Sequence, residues 1–138
     1  DEIIAQSEPS SQEHSWSFIG VDYTADLGLQ GSQFDLLISL YAGFVSEACT
    51  RYLQPDGWLL VNPSHGDAAI AAIDPRDRLV GGEQSRSGKY AVSDRNLDSY
   101  LIPKRDVEVT ADLIHEVGRG IGYTKSPFAY LFRLASCA

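Results

Sequence analysis

His65 and Asp67 stand two residues apart in the segment Asn62–Asp67 (NPSHGD). An imidazole titrates near neutrality and a carboxylate can orient it, so the pair would serve as general acid and base; a solvated loop histidine is the plainer alternative. Further on, Ile114–Gly122 (IHEVGRGIG) carries Gly118, Gly120 and Gly122 in GxGxG spacing, with Glu116 two residues ahead. Glycines so spaced let a backbone approach a bound ligand, while a helix ending at Gly118 is the plainer account of them. The stretch Gly81–Tyr90 (GGEQSRSGKY) lacks the spacing of a phosphate loop: five residues separate Gly82 from Gly88, and Tyr90 follows Lys89 where Ser or Thr is required. No GxSxG occurs, so a hydrolase nucleophile elbow has no support. Cys49 and Cys137 lie far apart without CxxC or metal-ligand spacing, which points to one buried and one terminal thiol and to no metal.

A chain of 138 residues with 43% hydrophobic and 22% charged residues suits one globular domain. Eleven Lys and Arg against 19 Asp and Glu give a net charge of -8, which repels phosphate backbones and anionic lipid. The basic residues Arg76, Arg78, Arg86, Lys89 and Arg95 are interleaved with Asp74, Asp77, Glu83 and Asp94, so no nucleic-acid patch is expected. Residues 1–15 are polar and acidic, without the apolar region of a signal peptide, and read as a linker or disordered end before a domain over residues 16–138. The longest nearly apolar run, Leu36–Val45, is about half the length that spans a bilayer, so a cytoplasmic protein is expected. The absence of Met suggests a piece of a longer gene product.

The candidate residues hang on a sequence of short elements. Trp16–Tyr23 is aromatic and β-branched enough for a strand, and Gly28–Gln33 supplies turn residues. Phe34–Leu40 (FDLLISL) is a continuous apolar run that suits a parallel strand covered on both faces. Within Ala42–Gln54, Val45, Ala48, Cys49, Tyr52 and Leu53 share one helical face, and Pro55, Asp56 and Gly57 stop the helix. Trp58–Val61 is a second buried strand, Asn62–Gly66 its exit loop, and Asp67–Ile73 a short helix ending before Pro75. Residues 74–96 are charged and read as an excursion outside the core. Leu97–Ile102 is a candidate strand; Thr110 caps a helix to Val117 with Gly118 past its end; Phe128–Leu134 forms a last strand. Strand, helix, strand implies a right-handed parallel crossover and an α/β layer structure.

The residues themselves carry a more specific likeness. Asp26–Leu40 (DLGLQGSQFDLLISL), a helix, and Tyr52–Val61 (YLQPDGWLLV) resemble the fourth and fifth strands of class I S-adenosylmethionine-dependent methyltransferases, where FDLVIS, a helix and an LxPGGxLLL hairpin follow one another at this spacing. Phe128–Arg133 (FAYLFR) is similar to that family's last strand. The resemblance implies an α/β fold with a partial Rossmann-like, mainly parallel sheet and flanking helices, and S-adenosylmethionine as cofactor, with Asp22, Tyr23 and Thr24 beside its adenine and Ser39, Leu40 and Tyr41 at the carboxyl end of the fourth strand. Tyr23 takes the family's acidic position without a gap, and Asp22 takes it with one residue inserted. A capped strand end at Asp22 and a plain buried strand end at Ser39 explain the same residues.

Asn62–His65 is similar to the NPPY-type loop of amino-methyltransferases, yet it follows the fifth-like strand and lacks the second proline and the aromatic. Nothing ahead of Trp16 supplies the family's first strand and glycine-rich loop; a permuted order using Gly118, Gly120 and Gly122 would make Ser126–Leu134 a helix. Methyl transfer needs alignment more than side-chain chemistry, so no catalytic residue is assigned, and the acceptor, small molecule or protein, stays open. The rival reading is a non-catalytic α/β fragment or interaction module. Because the family's first strand lies beside its fourth, Phe34–Leu40 would have a free edge, filled either by Trp16–Tyr23 moving in or by strand pairing in a homodimer.

Overall fold

The structure, a computed structural model, describes residues 14–136. Nearly all of the expected linker over residues 1–15, and Cys137, lie outside the described residues. In chain order the elements are β1 (Phe34–Ser39), α1 (Val45–Cys49) running into a tight turn of helix at Thr50–Tyr52, β2 (Leu53–Val61), α2 (Asp67–Ile73), β3 (Asp77–Arg86), β4 (Lys89–Ser93), α3 (Ala111–Val117) and β5 (Ala129–Leu134). One five-stranded sheet holds them in the order β1-β2-β5-β3-β4.

The expected mainly parallel Rossmann-like sheet is not what forms. Only β1 and β2 run parallel; β2 with β5, β5 with β3, and β3 with β4 are antiparallel, and the mixed sheet curls into a half-barrel. The cause lies in residues 74–96, which are a hairpin inside the sheet and not an excursion. Ser87 (φ 51°) and Gly88 (φ 76°) are both left-handed, the backbone of a two-residue turn whose twist matches that of the strands it joins. β3 then pairs with β5 on its other side.

Several boundaries also differ. α1 is shorter than the Ala42–Gln54 pattern because Tyr41 turns left-handed (φ 56°) and Leu53 and Gln54 already belong to β2. Leu97–Leu101 is a tight helical turn and not a strand, and it seats Tyr100 in the core. Trp16–Tyr23 is no strand and does not move in beside β1; Trp16, Phe18 and Val21 are exposed. α2 and α3 fall where the pattern puts them. The Thr110 hydroxyl accepts from the Leu113 N–H at 3.2 Å, and Gly118 (φ 65°) ends α3 in the left-handed cap that favours glycine. That geometry decides for the helix-cap reading of Gly118, and β5 occupies the stretch that a permuted order would make helical.

Register sorts the side chains onto two faces. Leu37, Leu59, Phe132 and Leu79 form one row across the sheet, and Ser39, Val61, Tyr130 and Gly82 the next. Both rows point to the core, where Ala68 and Ala71 of α2 pack on Leu59, Val61, Tyr130 and Phe132. α1 and α3 pack against α2, so all three helices lie on this side. No helix among the described residues is long and apolar enough to cross a membrane.

Candidate functional site

β1 and β2, being parallel, deliver their carboxyl ends to the same edge, and a buried polar cluster forms there. Ser39 closes β1, Asn62 follows β2, Asp67 opens α2 and Ser46 lies in the first turn of α1; all four are almost fully buried. The Ser39 hydroxyl donates to Asp67 Oδ2 at 2.5 Å, the Ser46 N–H donates to Asp67 Oδ1 at 2.9 Å, and the Ser46 hydroxyl donates to the same Oδ1. Asn62 Oδ1 accepts from the Tyr41 N–H at 3.1 Å, and the Asn62 N–H donates to the Ser39 carbonyl at 3.4 Å. Asp67 thus ties β1 and α1 to α2, and Asn62 fixes the exit of β1 to the exit of β2.

Burial pushes the Asp67 carboxyl above its ordinary value, a rise that the bonds from Ser39 and Ser46 only partly offset and that the Glu47 charge increases. Left-handed backbone clusters in the same loops: Tyr41 (φ 56°), His65 (φ 59°) and Gly66 (φ 101°). Strained backbone of this kind gathers where surrounding structure over-determines it. At Gly66 glycine is required, since a side chain would run into Ile114 of α3.

The resemblance-derived residues distribute unevenly around this cluster. Thr24 donates from its N–H (2.9 Å) and its hydroxyl (2.7 Å) to Asp22 Oδ1, bonds that hold the Asp22 carboxyl below its usual range. Tyr23 reaches the site directly: its hydroxyl accepts from the Phe44 N–H at 3.0 Å and its carbonyl from the Cys49 thiol at 3.7 Å. Of Asp22–Thr24, Tyr23 is thus the residue that bonds the loop following Tyr41. Ser39 is buried and committed to Asp67, Leu40 is partly exposed, and Tyr41 projects its ring, 67% exposed, edge-on toward Phe128.

Other sequence candidates separate. His65 and Asp67 do not pair: Asp67 points into the Ser39–Ser46 cluster and His65 is exposed. The histidine that does meet a carboxylate is His115, whose Nε2 lies 3.0 Å from Glu47 Oε2 with the Phe44 ring edge-on at 4.8 Å. This pair joins α1 to α3 across 68 residues of chain and leaves no trace in local spacing. Of the three spaced glycines, Gly118 caps α3, Gly120 backs onto the Pro63 carbonyl, and the Gly122 carbonyl accepts from the Lys104 N–H at 2.7 Å. Ser46, the second hydroxyl on Asp67, was not singled out by the sequence, where a helix-face serine carries no signal. Among the described residues no group of His, Cys, Asp or Glu has the geometry to hold a metal ion.

No known family model matches the chain, and no curated protein matches it.

Proposed function

We propose that the chain carries the later part of an S-adenosylmethionine-dependent methyltransferase domain, with the carboxyl ends of β1 and β2 against the adenosyl side of the cofactor. One observation carries this reading: Tyr23 and Leu40–Tyr41 meet at one loop cluster at the carboxyl ends of two parallel strands, whose exit loops share one edge of the sheet. The residues fit an adenosyl group in part. Tyr41 offers an open aromatic face to a purine, and Asp22, held anionic by Thr24, keeps Oδ2 for a hydroxyl or amine donor. Ser39 does not fit as a ligand, because its hydroxyl is already given to Asp67; it positions the strand end. The bound sulfonium would supply an already activated methyl group, so this chain's part is to bind and orient. A cytoplasmic location and an acceptor that is a small molecule or a protein go with the proposal; general nucleic-acid binding and a membrane do not.

The second reading, a non-catalytic α/β interaction module, draws on the same cluster. Asp67, Ser39 and Ser46 satisfy one another and leave little for a ligand. Calorimetric titration with S-adenosylmethionine and S-adenosylhomocysteine separates the two. Saturable heat that Tyr41→Ala and Asp22→Ala weaken about tenfold, about 1.4 kcal/mol, with circular dichroism unchanged, supports the cofactor site. Absence of heat for both ligands, on this chain and on a version extended upstream, rejects it in favour of the module.

A further inference from the structure

The sheet has a second face that no helix among the described residues covers. Its rows are fixed by register: Leu36, Trp58, Arg133 and Arg78 lie abreast on β1, β2, β5 and β3, and Ile38, Leu60, Leu131 and Gly81 form the next row toward the carboxyl ends of β1 and β2. Val92 of β4 closes over Gly81, where an added side chain would meet it. At the far end the rings of Tyr41, Phe128 and Tyr90 stand edge to edge, with centroids 6.4 and 6.0 Å apart. Leu36, Ile38, Trp58, Tyr90, Val92 and Phe128 are each 37% to 62% exposed. At roughly 150–250 Å² for a large side chain, they leave on the order of 600 Å² of mostly apolar surface, with the Tyr41 ring at its border left to the site. That stands at the top of the roughly 300–600 Å² of the largest patch on an ordinary monomer and below the roughly 800 Å² that each partner contributes to a stable interface, to which the flanking charged residues add.

We propose that a second copy of this chain covers this face, the two sheets stacking face to face about a two-fold axis perpendicular to the strands. Charge selects the axis. Arg78 and Arg133 are directly opposite each other on neighbouring strands, an arrangement of like charges that destabilises a lone sheet, and among the described residues Arg133 has a carboxylate within 4 Å, Asp56 at 3.9 Å, while Arg78 has none. The other end of the same face carries Glu83, which is in register with Val92, together with the rings of Tyr90 and Phe128. An axis parallel to the strands would set arginines against arginines. An axis perpendicular to them sets each arginine end against the partner's Glu83 and aromatic end, where a guanidinium gains an ion pair and ring faces. The contact is isologous and closes at two copies. Pairing through the free edge of β1, the homodimer expected from the sequence, is the competing arrangement, but it would leave Trp58, Tyr90 and Val92 in water.

Sedimentation equilibrium of the full chain from low micromolar to submillimolar concentration tests the proposal, with amide hydrogen exchange on the same samples. A dimer is expected, and Ile38→Asp and the double variant Arg78→Glu/Arg133→Glu should each weaken it at least tenfold while circular dichroism stays the same. Exchanging the charges in Arg78→Glu/Glu83→Arg should return most of the lost affinity, which separates an interface effect from misfolding. A monomer throughout the range overturns the proposal. A dimer indifferent to both surface variants, with Leu36 to Ile38 amides protected, overturns it in favour of pairing at the β1 edge.

Discussion

Both faces of this sheet carry large apolar side chains, and they meet opposite fates in the fold. On one, Leu59, Val61, Tyr130 and Phe132 are sealed under α2; on the other, Leu36, Ile38 and Trp58 meet solvent. The continuous apolar run of β1 predicted cover on both faces, and the structure gives it on one. A run of apolar residues therefore reports what a strand can bury and leaves open what is present to bury it.

The largest expected contrast lies between Phe132 and Ile38. Phe132→Ala opens a cavity beneath α2 and should cost about 3–5 kcal/mol of unfolding free energy in urea denaturation. Ile38→Ser, measured on dilute monomer, should change it by less than about 0.5 kcal/mol. Similar losses from both would mean that the outer face is covered within the monomer.

Next in size is the polar tie at the carboxyl edge. Asp67→Ala strands the buried Ser39 hydroxyl and the Ser46 N–H and hydroxyl, and a cost of about 2–4 kcal/mol is expected from these orphaned donors. Asp67→Asn keeps an acceptor and should recover part of it. A neutral Asp67→Ala would show that the cluster does not hold β1, α1 and α2 together.

The third contrast concerns pH. Both carboxylate oxygens of Asp77 are buried without a hydrogen-bond partner among the described residues, and burial, reinforced by the Asp74 charge and opposed by Arg76, raises its pKa from 3.8 to about 7. Between these values the folded chain keeps a proton that the unfolded chain releases, so this group's contribution is full at low pH and is lost as pH rises to about 7. Asp77→Asn should remove that decline and stabilise the protein above pH 7 by on the order of 1 kcal/mol after solvent screening. Thermal melts of both proteins at acidic and alkaline pH check the sign. Curves that stay parallel would contradict the burial assigned to Asp77.

What could be read from the sequence followed the range of the interaction. α2, α3 with its Thr110 and Gly118 caps, and the adjacent parallel β1 and β2 rest on local pattern, and all form. The β3–β4 hairpin was hidden because Asp77, Arg78, Glu83 and Arg86 made it look solvated, although Ser87–Gly88 carried a two-residue turn signal. At the site, Asp67 and Ser39 were legible as residues but not as partners: Asp67 reaches back 28 residues to Ser39 and 21 to Ser46, while its neighbour His65 supplied a nearer and wrong pairing. Spacing in sequence finds loops and caps, and tertiary carboxylate ties escape it.

The functional claim rests on the carboxyl edge of β1 and β2, and amide chemical-shift mapping during titration with S-adenosylhomocysteine tests it most directly. Saturable shifts at Tyr23, Thr24, Tyr41 and Phe44, with the β3–β4 hairpin unmoved, are the predicted result. A spectrum that does not change, or shifts confined to residues away from that edge, would contradict the assignment.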